Sequence, residues 1–249
     1  MVVMLYGRHG RVGLEMLRST FASLHLKQDA PSLEIVRNTL AQLPPDHPVR
    51  PMLQGNDDTQ FDAGLVDLFL NARERSYTVA DCLSFVSDAG LAFQGWTDNG
   101  AYYPELQFQI GSPIYEVINR LPDDQIWAAM ELLRPTDLFK HTFVACRVTR
   151  PRRQYALDFA GPVFLDYAPA WGNGWKLSDA GGRKTIQRGP AAIPLSGAQM
   201  PLAQSVDGVR TIGSILAQVG DPDGQHFGRE FCRVLWRAGM MQFRIPSAG

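Results

Sequence analysis

The first six residues constrain the fold more than any other segment of this chain. Met1–Tyr6 is apolar on both faces, which is typical of a strand buried within a parallel sheet. Glycines follow at a spacing of three (Gly7, Gly10 and Gly13), and Leu14–Leu26 then carries apolar residues at helical spacing. The segment predicts a strand, a tight turn and a helix. A buried strand that opens the chain also predicts a sheet that is incomplete or completed by something else.

The glycine-rich turn lies between a strand and a helix, where a phosphate-binding loop would lie. Its spacing is not that of a dinucleotide-binding loop, and it lacks the Lys-Ser or Lys-Thr pair of a P-loop. We therefore favour a tight turn that brings Tyr6, Arg8, His9 and Arg11 to the carboxyl end of the strand. In open α/β sheets this end borders the ligand crevice.

Helices and strands alternate through the rest of the first 150 residues. Helices are predicted at Ser32–Leu43, Phe61–Leu70, Thr78–Ala89 and around Asp124–Leu133, and strands at Leu91–Trp96 and Phe139–Val148. Ser32 is the predicted N-cap of the first of these helices, and Thr78 and Asp81 form a capping-box-like pattern. This order predicts an α/β fold.

Charge divides the chain at a basic, proline-containing stretch, Arg147–Arg153. Residues 1–149 carry 12 Lys and Arg against 18 Asp and Glu, whereas residues 150–249 carry 12 against 7. We interpret the stretch as the linker between a domain at residues 1–150 and a small basic module at residues 151–249.

The basic module is predicted to be a winged-helix-like α+β domain. A strand is predicted at Ala156–Tyr167, a loop at Trp171–Arg188, helices at about Ser196–Val206, Thr211–Val219 and Phe227–Ala238, and a closing strand at Met240–Ile245.

Composition excludes several classes of protein. The chain is 45% apolar and 20% charged, which is ordinary for a globular protein and unlike a disordered or coiled-coil chain. No apolar run approaches the roughly 18 residues of a membrane span, and Met1–Tyr6 lacks the flanks of a signal peptide. The widely separated Cys82, Cys146 and Cys232 indicate reduced, buried thiols in a cytoplasmic protein.

Few residues suggest catalytic or metal chemistry. The five histidines share no metal-ligand spacing with one another or with the cysteines, so no metal site is predicted. His25 and His141 are interpreted as structural, and His9, on the turn at the end of the strand, is the one histidine retained as a candidate acid–base or substrate residue. Trp96, Tyr102 and neighbouring aromatic residues either line an apolar acceptor pocket or pack under a loop, and the sequence leaves both open.

Several segments together, in their order and spacing, resemble a known family. They are Tyr6–Gly13, Leu43–Pro48, Ser76–Val79, Ala89–Trp96, Leu121–Leu132, His141–Arg147, Asp207–Ile212 and Leu235–Arg237. The first six resemble the carboxyl-terminal half of bacterial class I S-adenosylmethionine-dependent methyltransferases. The last two resemble a further module found in one multidomain branch of that family.

The resemblance implies that Met1–Tyr6 is the fifth strand of a seven-stranded Rossmann-like sheet, and that Leu91–Trp96 and Phe139–Val148 are its final antiparallel pair. It implies S-adenosylmethionine as the cofactor. No segment matches the family's glycine-rich cofactor loop or its ribose-binding acidic residue, so the cofactor-binding residues are unknown. The chain is then expected to be the acceptor-side half of the enzyme, with a partial sheet. Asn71 stands where the family tends to have His.

The same interpretation names candidate site residues. His9 is the candidate catalytic residue, and the candidate substrate-binding residues are Tyr6, Arg8, Tyr77, Trp96 and Tyr102. The class of methyl acceptor is open.

The interpretation also predicts partners. Without a fourth strand the edge of the fifth would be bare, so the chain is expected to self-associate or to bind an amino-terminal methyltransferase half. The alternative is a catalytically silent interaction module with the same fold. Scattered basic residues argue against nucleic acid as the partner of the basic module, and no membrane partner is predicted.

Overall fold

The chain forms two compact units that are interleaved in sequence. The structure, a computed structural model, describes residues 1–54, 56–71, 73–180, 183–188, 191–220 and 226–246. One unit comprises Met1–Val3, Phe85–Met130 and Thr142–Gly249, and the other comprises Met4–Ser84 and Glu131–His141. We call them the aromatic unit and the strand-end unit. These two units divide the chain differently from the predicted domains at residues 1–150 and 151–249, and the predicted boundary stays a prediction.

Strands form three sheets in the described part of the chain. The strands are β1 Val2–Gly7, β2 Ser76–Tyr77, β3 Leu91–Trp96, β4 Lys140–Arg147, β5 Ala168–Trp171, β6 Lys176–Ala180, β7 Arg183–Arg188, β8 Ala191–Pro194 and β9 Met241–Arg244. A four-stranded sheet has the order β2-β1-β4-β3, a second sheet pairs β5 with β9, and a third has the order β6-β7-β8.

The four-stranded sheet is mixed. β1 and β2 are parallel, with Tyr6 opposite Ser76. β3 and β4 are antiparallel, with Trp96 opposite Phe143 and a register shift between Phe93 and Gly95. With the helices between them, these strands confirm the predicted α/β class.

Helices connect and cover the strands. They are α1 Val12–Ser23, α2 Ala30–Gln42, α3 Arg50–Leu53, α4 Asp62–Leu65, α5 Val79–Asp88, α6 Pro113–Asn119, α7 Asp123–Leu133, α8 Gln199–Gln204, α9 Ile212–Val219 and α10 His226–Arg237. A π-helical turn, Val66–Leu70, continues α4. No helix among the described residues is both long enough and apolar enough to cross a membrane.

Helix caps follow the sequence with one correction. The predicted capping box is confirmed at α5, because the Thr78 N–H and hydroxyl both donate to Asp81 Oδ2 at 2.9 Å. Ser32 is not the N-cap of α2. The helix begins two residues earlier because Asp29 accepts a hydrogen bond from the Ser32 N–H.

Two elements of the carboxyl-terminal region differ from the prediction. Ala156–Tyr167 is not a strand: Pro162–Asp166 forms a 3-10 helix, which suits a proline that lacks an N–H and has a fixed φ. Trp171–Arg188 is not a loop, since β6 and β7 pair with Leu177 opposite the buried Ile186. The glycines of this stretch hid its alternating pattern, and residues 181, 182 and 189 lie outside the described residues.

Each unit has its own core. Leu14, Leu17 and Phe21 of α1 pack with Val36 of α2 and Phe69 in the strand-end unit. The core of the aromatic unit includes residues of the 3-10 helix Pro162–Asp166, of α9 and α10, and of β9. Burying each such large side chain stabilises the fold by about 1.5–3 kcal/mol.

The cysteines are free thiols in the described structure. Cys82 and Cys232 are buried, as predicted, whereas Cys146 is half-buried on β4. Burial alternates along β4, and Cys146 lies on its half-buried face with Thr142 and Val144, which corrects the prediction for this residue.

Candidate functional site

The carboxyl ends of β1 and β2 bring together four of the predicted site residues. Parallel pairing sets Gly7 opposite Tyr77, and the Arg8 N–H donates to the Tyr77 carbonyl at 2.9 Å. Tyr6 is the penultimate residue of β1 and His9 follows in the turn, and both are half-buried. We call Tyr6, Arg8, His9 and Tyr77 the strand-end site, because it lies at the end of the sheet that borders the ligand crevice in open α/β folds.

Arg8 is the charged residue of the strand-end site. Its side chain is half-exposed, and Nη2 lies 3.0 Å from Asp81 Oδ2. The pKa of Asp81 is held below its ordinary value, mainly by the hydrogen bond from the Thr78 N–H and then by the Thr78 hydroxyl and the Arg8 guanidinium. Asp81 is therefore ionised near neutral pH, and it orients Arg8 from the first turn of α5.

A buried ion-pair cluster lies in the same unit. Glu74 Oε1 is 2.5 Å from Arg11 Nη2 and 2.8 Å from Arg18 Nη1, and all three side chains are less than a tenth exposed. Arg18 also donates to the Asn71 carbonyl. The cluster ties the segment that leads into β2 to α1. We call Arg11, Arg18 and Glu74 the arginine cluster.

Guanidinium groups cover one face of each tyrosine ring of the strand-end site. The Arg11 guanidinium carbon lies 3.7 Å from the centre of the Tyr6 ring, and that of Arg75 lies 4.8 Å from the centre of the Tyr77 ring. Such cation–π contacts hold the two rings in place. Sequence reasoning placed Arg11 on the turn but gave no sign of its partners, since Glu74 lies more than sixty residues away along the chain.

The three glycines of the turn are explained by close packing. A Cβ at Gly7 would lie 2.0 Å from the Leu138 carbonyl oxygen, and one at Gly13 would lie 2.2 Å from the Val49 nitrogen. A Cβ at Gly10 would lie 2.6 Å from the Leu138 carbonyl oxygen and 2.7 Å from that of Pro135. Protein backbone thus occupies the space beside the turn, in agreement with the tight-turn interpretation and not with a phosphate cradle.

Gly10→Ala should destabilise the chain because the added methyl overlaps two carbonyl oxygens. We expect the free energy of unfolding, measured by urea titration, to fall by about 1–3 kcal/mol, as for other overpacked sites. Gly197→Ala is the matched control, because nothing lies within 4 Å of its added Cβ. Equal stability of the two variants would contradict the packing explanation of the motif.

His141 is structural, as predicted, and it contacts the strand-end site. Its Nε2 lies 3.1 Å from the Tyr77 carbonyl oxygen and 3.4 Å from Glu131 Oε1. The other carboxylate oxygen of Glu131 accepts the Val79 N–H at 2.9 Å. Burial, and then the charges of Glu131 and Asp81, raise the pKa of the Cys82 thiol to about 12, so Cys82 is not a nucleophile at neutral pH.

Trp96 and Tyr102, the other predicted substrate-binding residues, belong to the aromatic unit. Their rings stack at a centroid distance of 3.9 Å and an angle of 3°. Both side chains are buried, at 7% and 3% exposure, with Phe93 and Trp127 around Trp96. Of the two alternatives that the sequence left open, the position of these rings agrees with packing. A role for them in acceptor binding stays a prediction.

The aromatic unit also holds a buried carboxyl that sequence reasoning missed. Glu105 is 5% exposed, and its Oε1 lies 3.8 Å from Arg237 Nη1. Neither carboxylate oxygen has a hydrogen-bond partner among the described residues. Burial raises the pKa of Glu105 to about 7, against the opposing effect of Arg237. Burial and the charge of Glu105 likewise raise the pKa of the Tyr115 hydroxyl.

Clustered metal ligands and helix-end N–H donors are the two features by which this region could hold a metal ion or an anionic group. In the part of the chain that the structure describes, no three His, Cys, Asp or Glu side chains are grouped as a metal ion requires. At the amino terminus of α5 the Thr78 and Val79 N–H groups already donate to the carboxylates of Asp81 and Glu131. The residues that would bind a cofactor therefore stay unassigned.

Comparison with known proteins relates the chain to a methyltransferase fold. No family model matches the sequence. A structure of PKMT2 from Rickettsia typhi superposes with a TM-score of 0.52 and 10% identity over 97% of this chain. A second structure of PKMT2, in complex with AdoHcy, gives a TM-score of 0.53 and 11% identity over the same share. The chain spans about half (51%) of each matched chain. The chain therefore has a methyltransferase-like α/β fold.

Proposed function

We propose that this chain is the acceptor-side portion of an S-adenosylmethionine-dependent methyltransferase. The observation that carries the proposal is the fold match to PKMT2, which has been solved with AdoHcy, the compound that S-adenosylmethionine becomes after giving up its methyl group. The strand order β1-β4-β3 supports it, because the family resemblance implies that order for the last three strands of the sheet.

The role proposed for this chain is to bind and orient the acceptor. Methyl transfer from an activated sulfonium depends mostly on placing the acceptor in line with the methyl group. Arg8, Tyr6 and Tyr77 are the proposed acceptor contacts, since they are rigidly held at one end of the sheet. His9 is the proposed base for an acceptor that must lose a proton. A lysine-containing peptide is the first acceptor to test, because its side-chain ammonium must lose a proton before it can accept a methyl group.

An unpaired edge of β1 supports the proposed partner. Within the described residues β2 pairs only with Tyr6 and Gly7, which leaves Val2–Leu5 without a strand on that side. Val2 and Met4 are 65% and 48% exposed. Apolar strand edges pair readily with another chain. We therefore propose that an amino-terminal methyltransferase half, or a second copy of the chain, covers this edge.

For the carboxyl-terminal region we propose a protein-contact role. The helices α8, α9 and α10 and the closing strand β9 support a winged-helix-like module. The amino terminus of α9 is capped by the Thr211 side chain, and the buried residues of the helix, Ile212, Ile215 and Leu216, are apolar. Because a recognition helix needs exposed basic or amide side chains, nucleic acid is the less favoured partner.

Calorimetry with S-adenosylmethionine tests the function. We expect no heat of binding from the chain alone. Adding an amino-terminal methyltransferase half that carries a cofactor loop should give both binding heat and transfer of labelled methyl to a lysine peptide. The edge variant Met4→Lys should weaken this reconstitution, whereas Leu24→Lys, at an exposed position on the C-cap of α1, should leave it unchanged. Absence of binding in every mixture would favour the catalytically silent interaction module instead.

A further inference from the structure

The fully buried His141 lies directly against the backbone of the strand-end site. His141 is 0% exposed and Glu131 is 3% exposed. Both groups near His141 Nε2, the Tyr77 carbonyl and the Glu131 carboxylate, are hydrogen-bond acceptors. The Nε2 atom therefore carries a proton, and the ring donates toward Tyr77.

The Tyr77 carbonyl accepts two hydrogen bonds from different elements. The Arg8 N–H donates at 2.9 Å from the turn after β1, and His141 donates at 3.1 Å from β4. A carbonyl oxygen has two lone pairs, and both are used here. The Tyr77 carbonyl oxygen thus binds both the Arg8 N–H and His141. His141 therefore sets the position of the atom that joins Arg8 to Tyr77.

Glu131 extends this contact to the next element. Its Oε2 accepts from the N–H of Val79, the first residue of α5, while Oε1 faces His141. His141 and Glu131 therefore hold the backbone on both sides of Thr78, His141 at the Tyr77 carbonyl and Glu131 at the Val79 N–H. Asp81, whose carboxylate orients Arg8, lies in the first turn of α5 together with Val79.

β2 needs such support because it is very short. The strand has two residues and pairs with β1 only at Tyr6 and Gly7. A pairing of this length is marginal in water without other contacts. The buried hydrogen bonds of His141 in β4 and Glu131 in α7 supply those contacts. The two-residue strand is too short to gain them from a longer ladder of backbone hydrogen bonds.

We propose that His141, held by Glu131, is a positioning residue that fixes Arg8 and Tyr77 in the strand-end site. Its bearing on the acceptor rests on the proposed function, whereas its effect on the backbone does not. His141→Phe removes the donor and keeps an aromatic ring. His141→Gln keeps an amide donor of similar reach. Phe143→Leu is the control, because its buried ring packs on Phe93 and Trp96.

Amide hydrogen exchange of the intact chain, followed by NMR, tests the positioning. In His141→Phe the Arg8 and Val79 amides should exchange about tenfold faster than in Phe143→Leu of similar global stability, as expected for one lost hydrogen bond. His141→Gln should restore most of the protection. Unchanged exchange at Arg8 in His141→Phe would overturn the proposal.

The reconstituted enzyme separates this proposal from the proposed function. There, His141→Phe should raise the acceptor KM about tenfold and leave the affinity for S-adenosylmethionine unchanged, since only the acceptor side is disturbed. Faster exchange at Arg8 with an unaltered acceptor KM would overturn the acceptor-side role. A reconstituted mixture without any methyl transfer would count against the proposed function, and the exchange result alone would then decide the positioning.

Discussion

Glu74→Ala should lower the free energy of unfolding by about 3–5 kcal/mol, because it leaves two buried guanidinium groups without a carboxylate. Arg11 and Arg18 are 4% and 9% exposed, and both contact the same oxygen of Glu74. The desolvation of the two cations is offset in the native state by that oxygen and by the neighbouring Asn71 carbonyl. Urea unfolding followed by tryptophan fluorescence measures the loss.

The control removes a carboxylate from an exposed arginine pair. Asp62 contacts Arg37, with side chains that are 71% and 47% exposed, so Asp62→Ala should cost less than about 1 kcal/mol. A further variant, Arg11→Met with Glu74→Leu and Arg18→Met, should recover much of the loss because it removes every buried charge. A cost for Glu74→Ala as small as that for Asp62→Ala would mean that water reaches the cluster.

The strand-end site was predictable where it depends on local pattern. The apolar run before Gly7 fixes β1, and the Thr78–Asp81 capping box fixes the start of α5. Tyr77 meets Tyr6 and Arg8 because Ser76–Tyr77 forms β2, a two-residue strand that was not among the predicted elements.

The partners of these residues were not predictable. Glu74, Glu131 and His141 act through contacts between segments distant in sequence, and nothing in the local pattern of each selects its partner. The same limit hid β6 and β7, because their pairing buries Ile186 in a stretch whose composition is typical of a loop. Propensity is a weak guide wherever tertiary contacts decide the conformation.

Whether a single polar side chain is buried is the property that such a sequence predicts least well. Glu105 follows Pro104 in a 3-10 turn, where a charged side chain is ordinarily solvated. Here the carboxyl is enclosed, and the nearest cation, Arg237, already faces Asp123 at 3.2 Å and Asn119 at 2.5 Å. Arg237 is therefore shared among several acceptors, and it offsets only part of the burial of Glu105.

Glu105 should make the stability of the aromatic unit fall as pH rises toward neutrality. Its pKa is about 7 in the folded chain against 4.5 without burial, so the folded state binds the proton more tightly. Between pH 4.5 and 7 the unfolded chain releases this proton first, and the free energy of unfolding decreases as pH increases. The total decrease is about 3 kcal/mol, at roughly 1.4 kcal/mol per pH unit.

Glu105→Gln should abolish this dependence, because the amide has no proton to release in that range. At pH 8 the variant should be more stable than the original chain by about 2–3 kcal/mol, whereas at pH 4.5 the two should be nearly equal. Glu116→Gln, an exposed position on α6, is the matched control and should leave the pH profile unchanged. Urea titrations at half-unit steps from pH 4.5 to 8.5 give the profiles. Parallel profiles for Glu105→Gln and the original chain would show that Glu105 is already ionised in the folded state at low pH, with Arg237 outweighing its burial.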